Sequence, residues 1–195
     1  GQQLAAALRQ RQIAARGFQL VYGSTANLYT DRAGDYIGYG AEASELVGMP
    51  DPETFAQLPW DKRVARVFCT CFRNREEREN PGGHLTSDCR GNLRLIHNEF
   101  EAKHGLRMRS GVEPEMMWLR RGEDGKSDGG VTKPNCYHID QFEELRPIFM
   151  RVIEYSQAMG LDMIQGDHED APGQLELNFM FDDALRTADR LTTYR

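Results

Sequence analysis

The chain has 195 residues, 39% apolar and 28% charged, enough for one large or two small domains with a real core. Its net charge of -6 argues against a nucleic-acid binder, which would present a basic face, but leaves phosphate ligands open, since these are met by local charges and metal ions. No run approaches the ~18 to 20 apolar residues of a membrane helix, and the polar, Arg-containing start lacks the apolar region and cleavage site of a secretory signal. In chain order, Leu4 to Ala15 has helical spacing and ends before Gly17. Phe18 to Tyr22 reads as a short strand, and the Gly-, Ser-, Asn- and Asp-rich Gly23 to Gly40 as an extended loop. Glu45 to Trp60 mixes prolines with apolar anchors and reads as an ordered connection. Arg63 to Phe72 has the β-branched and aromatic content of a strand, with Cys69 and Cys71 on one face. The four cysteines (Cys69, Cys71, Cys89 and Cys136) match no usual zinc spacing and read as reduced thiols of a cytoplasmic protein.

The charged, Pro-Gly-broken stretch Arg73 to Gly83 is the expected domain boundary, dividing the chain into 1–80 and 81–195. Ser87 is the expected N-cap of a helix that runs to about His104 and stops at Gly105. Leu106 to Arg120 reads as a strand and Arg121 to Gly130 as a loop. Asp140 is expected to cap an amphipathic helix with Phe142, Leu145, Ile148, Phe149 and Val152 on one side, ending at Gly160. Leu161 to Glu169 and Gln174 to Phe181 read as strands of a hairpin turned by Asp-Ala-Pro-Gly, and Asp182 or Asp183 caps a last helix. Hairpins rather than βαβ alternation give an α+β class.

Two segments concentrate carboxylates. In Gly111-Val-Glu113-Pro-Glu115 a strand would put both glutamates on one face, where like charges repel unless a cation or water separates them. In His168-Glu169-Asp-Ala-Pro-Gly-Gln174-Leu-Glu176 a hairpin would bring Glu169 and Glu176 together. A lone Glu-x-Glu is ordinarily a solvated strand face, and a lone Ala-Pro-Gly is a turn. Both together, in order and each on an expected strand, make an all-oxygen site of the kind magnesium or manganese prefers.

Gly-x-Glu-Pro-Glu followed by His-Glu-x-Ala-Pro-Gly-Gln-x-Glu resembles the glutamine synthetase family. Met49 to Trp60, Ala65 to Cys69, and the closing Ala184 to Asp189 helix are similar to segments of the same family. The resemblance implies an N-terminal β-grasp domain followed by the first part of a catalytic domain built on an antiparallel sheet. It implies rings of ten or twelve subunits, with active sites between neighbours. It also implies an ATP-dependent ligase joining the γ-carboxylate of glutamate to ammonia or an amine through a γ-glutamyl phosphate. By motif position, Glu115, Glu169 and Glu176 would hold the Mg2+ (or Mn2+) on the glutamate side, and Glu113 the one bridging the ATP phosphates. Glu169 would also take part in accepting the amine proton, together with an Asp from the neighbour's N-terminal loop.

That Asp corresponds by ungapped count to Asp31, or with a small shift to Asp35; Asp31 could equally be an ordinary turn aspartate. The serines the family carries beside it are absent, which tilts the reading toward an organic amine. Tyr137 lies near a family tyrosine lining the ammonium site, and could equally be a buried tyrosine with a satisfied hydroxyl. Four readings therefore stand beside each other: an ammonia ligase, a γ-glutamylamide synthetase for an alkyl, poly- or aromatic amine such as aniline in amine catabolism, a non-catalytic scaffold or regulatory relative, and a generic α+β domain with Glu113, Glu115, Glu169 and Glu176 spread across its surface. The sequence ends at Arg195, before the family's metal-binding His, its last metal-binding Glu and its phosphate-binding arginines, so these 195 residues alone are not expected to turn over.

Overall fold

A computed structural model describes residues 18–20, 32–34, 46–74, 76–77, 80, 82–126 and 136–195, with 18–20, 140 and 141 as backbone only. The helix expected over Leu4 to Ala15 and nearly all of the Gly23 to Gly40 loop lie outside the described residues. The chain divides into two compact units, one ending at Met108 and the other beginning at Arg109. Both are mixtures of helices and antiparallel strands.

In the first unit β1 (Phe18–Leu20), β2 (Leu46–Pro50) and β5 (Cys69–Phe72) form one antiparallel sheet, with Phe18 opposite Gly48 and Val47 opposite Phe72. Leu46, Val47, Phe72 and Leu85 are buried. The segment expected as a connection from Glu45 thus begins with a strand, and only then enters a 3-10 turn at Pro52–Thr54. The single strand expected over Arg63 to Phe72 is divided. β4 (Ala65–Arg66) pairs with β3 (Ala56–Gln57) in a separate hairpin, while β5 pairs with β2. The break has a local cause: the Arg66 guanidinium donates to the Thr54 carbonyl (2.7 Å) and the Phe68 N–H to Thr54 Oγ1 (2.8 Å), which pins residues 66–68 to the 3-10 turn.

Helix α1 (Cys89–His104) is capped by Asp88, one residue after the expected Ser87. The reason is reach: Asp88 accepts the Gly91 N–H at 3.0 Å and also the Cys71 N–H at 2.7 Å, so one buried carboxylate starts the helix and ties it to β5. Gly105 ends the helix at φ 66, a left-handed conformation favouring glycine.

The second unit holds the sheet β7 (Glu115–Met117), β9 (Gln174–Phe179), β8 (Met163–His168), in that spatial order and antiparallel throughout. The strand expected over Leu106 to Arg120 is here two short ones. β6 (Arg109–Ser110) pairs with β10 (Asp182–Asp183), and β7 pairs with β9. Pro114, between them, has no N–H to give to a ladder. Helix α2 (Ile139–Ala158) starts one residue before the expected cap Asp140; its N-cap is His138, which makes no side-chain capping bond. Its apolar stripe, Leu145 and Phe149 with Phe142, Ile148 and Val152 beside them, packs on Leu175 and Leu177. Helix α3 (Ala184–Tyr194) is capped by Asp183, whose carboxylate accepts the Arg186 N–H at 3.0 Å.

Candidate functional site

Period-two alternation decides what each face of the β7–β9–β8 sheet carries. Leu175 lies opposite Met116 on one side and His168 on the other, and Leu177 lies opposite Gly166; these residues face α2. Gly166 is required there, because a Cβ would stand 2.2 Å from Phe149 Cζ. The intervening residues share the other face. Glu176 is the direct partner of Glu115 on β7 and of Asp167 on β8, so a row of carboxylates crosses all three strands. Like charges directly opposite on neighbouring strands repel.

The β8–β9 turn brings in a further carboxylate. The Glu169 N–H donates to the Gln174 carbonyl (2.9 Å), the Gln174 N–H to the Ala171 carbonyl (3.0 Å) and the Ala171 N–H to Gln174 Oε1 (2.9 Å), with Gly173 at φ 75. Only a residue tolerating left-handed backbone closes the turn this way. Burial pushes the Glu169 carboxyl above the usual carboxylate range, and the charges of Glu176 and Glu115 push it further the same way. The thiol of Cys136, 3.6 Å from Glu169 Oε2, offsets part of this by donating to it.

Glu113 stands two residues ahead of β7 and is exposed; the carbonyl of the intervening Pro114 accepts the Leu177 N–H at 3.3 Å, carrying the β9 contact to that point. Neutral donors serve the other glutamates, Gln174 Nε2 for Glu115 and Asn178 Nδ2 for Glu176 (2.6 Å). Among the described residues none of Glu113, Glu115, Asp167, Glu169 and Glu176 forms an ion pair with Lys, Arg or His. Nor do three His, Cys, Asp or Glu side chains among the described residues converge into a finished coordination shell. The donor set nonetheless suits a hard divalent cation: the oxygens are carboxylate, Glu115, Glu176 and Asp167 share one sheet face with Glu169 at the adjoining turn, and among the described residues none of them has a cationic partner.

Tyr137 is no buried tyrosine. It is 71% exposed, holds a left-handed φ of 60 and donates its N–H to the His168 carbonyl at 3.0 Å, which places it at the end of β8. A hydrogen bond with Cys136 is the main reason its phenol is pushed up to about 12. Asp31 and Asp35 lie outside the described residues. Asp167 and Cys136 are the neighbours that sequence reasoning missed. The first was within reach of the same alternation that singled out Glu169; the second is brought in only by the 136–138 turn.

The family model described as "Glutamine synthetase, catalytic domain" matches residues 86–195. A glutamine synthetase from Rhizobium meliloti is 34% identical over 153 residues, covering 77% of this chain and 33% of that relative. A glutamate–methylamine ligase from Methyloversatilis universalis is 32% identical over 157 residues, covering 78% of this chain and 33% of its own length. Among solved structures, an ADP complex of GmaS matches with a TM-score of 0.70 over 97% of this chain and 40% of that one, at 23% identity, a likeness of fold. The chain spans about a third of the length of these curated relatives.

Proposed function

The chain belongs to the glutamine synthetase family, and from that premise we propose that the whole protein is an ATP- and divalent-metal-dependent ligase joining the γ-carboxylate of glutamate to ammonia or an organic amine. The observation that carries this reading is the carboxylate row. Glu115 and Glu176 oppose each other across β7 and β9, and both charges raise the Glu169 carboxyl beside them. A scaffold relative has no use for such a concentration of uncompensated charge, which costs stability unless a cation answers it.

In this reading Glu115, Glu169 and Glu176 hold a Mg2+ or Mn2+ ion on the glutamate side, and Glu113 one on the ATP side. Held by these carboxylates, such ions would supply neutralisation of phosphate charge and polarisation of the transferring group. Phosphorylation from ATP turns the γ-carboxylate into an acyl phosphate with a good leaving group. The amine loses a proton before it attacks, and Glu169, a carboxylate at the turn beside the row, is the group that would accept it. Asp31, from a neighbouring subunit, would hold the cationic amine, and Tyr137 would line its pocket. The same reading takes residues 1–80 as a β-grasp domain and 81–195 as the start of the catalytic domain. It places the protein in the cytoplasm, as a ring of ten or twelve subunits. A family match beginning at residue 86 supports the division, whereas the compact units part later, between Met108 and Arg109.

An organic amine is the preferred acceptor. The missing serines beside Asp31 favour it over ammonia, and a relative named a glutamate–methylamine ligase stands among the matches alongside the glutamine synthetases. The test uses the full-length protein with ATP, Mg2+ and glutamate, following phosphate release with ammonium and then with methylamine, polyamines and aniline. Release with an amine and not ammonium is expected. Release with ammonium alone would assign an ordinary glutamine synthetase, and none with any acceptor would remove the ligase reading.

A further inference from the structure

The first unit contains a cavity of about 750 Å3, within the range of small-molecule sites. Its floor is apolar and buried: Pro50 of β2 and Phe72 of β5, with Leu95 and Met49 at the walls. Helix α1 supplies one stripe, Gly91, Arg94, Leu95 and Asn98, at the i, i+3, i+4, i+7 spacing of a single helix face. Gly91 is what lets the His84 ring lie against the helix, since a Cβ there would stand 2.6 Å from His84 Cδ2.

The hydrogen bonds of the charged groups around this cavity are unevenly shared. One carboxylate oxygen, Asp51 Oδ2, accepts from both Arg90 (2.8 Å) and Arg94 (2.9 Å). The nearby Asp88 is committed to the backbone N–H groups of Cys71 and Gly91. Arg94 therefore shares its one carboxylate partner with Arg90. It commits one guanidinium N–H to Asp51 and, among the described residues, no other, while 38% of its side chain stays exposed. A guanidinium presents five donors in a planar fork suited to carboxylate or phosphate. Asn98 stands exposed one helical turn further along the same wall and offers an amide donor.

We propose that this cavity binds a small organic anion, with its carboxylate or phosphate on the free edge of Arg94 beside Asn98 and its apolar body over Phe72, Pro50 and Leu95. The inference goes beyond the ligase reading and stands without it, because it uses no residue of the carboxylate row. An effector is the role such a site would serve.

The test titrates the full-length protein, with glutamate present, against three probes: benzoate, its neutral isostere benzamide, and inorganic phosphate, with heat of binding as the readout. Benzoate should bind saturably in the millimolar range or tighter, phosphate more weakly for want of an apolar body, and benzamide not measurably. Arg94→Gln should weaken benzoate at least about tenfold, the scale of one lost charge-assisted contact. Asn98→Asp, at an exposed position that leaves packing untouched, should weaken it as well by adding negative charge. Benzoate binding that survives both substitutions, equal binding of benzamide, or no saturable binding of benzoate would each overturn the proposal. Phosphate binding as tightly as benzoate would overturn its apolar half.

Discussion

Replacing Glu176 by glutamine tests the carboxylate row from two sides. Glutamine keeps the shape and the oxygen that accepts from Asn178 Nδ2, so little but the charge is lost. In metal-free protein Glu176 faces Glu115 on one strand and Asp167 on the other. A like-charged cross-strand pair destabilises by roughly 0.2 to 1 kcal/mol, so removing the shared member should raise metal-free stability by about 1 kcal/mol. With Mn2+ the sign reverses. Losing one charged ligand should weaken binding at least about tenfold, or about 1.4 kcal/mol. At a Mn2+ concentration about 100 times the wild-type Kd, the ion stabilises wild type by about 2.7 kcal/mol but the variant by only about 1.4 kcal/mol. Thermal unfolding of full-length protein with and without Mn2+ reads both effects: a higher Tm for Glu176→Gln without metal, and a metal-induced rise about half that of wild type. An undiminished metal-induced rise would refute the assignment of Glu176 to the ion. A lower metal-free Tm would refute the repulsion on which the fit of the site rests.

Other expectations follow from the packing and the titrating groups. Gly166→Ala should destabilise by about 1 to 3 kcal/mol in chemical denaturation, because the new methyl meets Phe149 Cζ at 2.2 Å and Leu177 Cδ2 at 2.8 Å. Asp88→Ala removes a helix cap and strands the part-buried Cys71 and the buried Gly91 N–H groups, for a loss of about 1 to 3 kcal/mol by the same measurement. Burial raises the Cys69 thiol to about 11, whereas Cys89 is exposed; iodoacetamide mass mapping at neutral pH should label Cys89 first and leave Cys69 largely unmodified. Because the folded Glu169 carboxyl sits above its ordinary value of 4.5, it binds a proton more tightly folded than unfolded. Its contribution is full below pH 4.5 and is lost as pH rises through its folded value. Glu169→Gln should remove that acid-side slope from the pH dependence of metal-free unfolding.

The residues themselves specified much of this protein. Gly105 and Gly173 mark the helix end and the hairpin turn because a left-handed backbone leaves few other choices, and the alternation through Gln174 to Phe179 puts Glu176 opposite the core leucines. The 3.6-residue stripe of α2 and the turn Asp170-Ala-Pro-Gly173 are equally local. Strand continuity was not local. Arg63 to Phe72 has uninterrupted strand composition and Leu106 to Arg120 carries Pro114, yet each divides between two sheets according to pairing partners distant in sequence, with the contacts of Arg66 and Phe68 to Thr54 fixing the first break. The helix cap moved from Ser87 to Asp88 for the same reason, a bond to β5 that no neighbour in sequence reports. Asp167 joined the carboxylates only through its register with Glu176, Cys136 reached Glu169 across 33 positions, and Arg94 met Asp51 across 43. Chemistry that depends on a residue's own conformational or side-chain preference is written along the chain; chemistry that depends on which strand lies beside which is decided only when the sheets assemble.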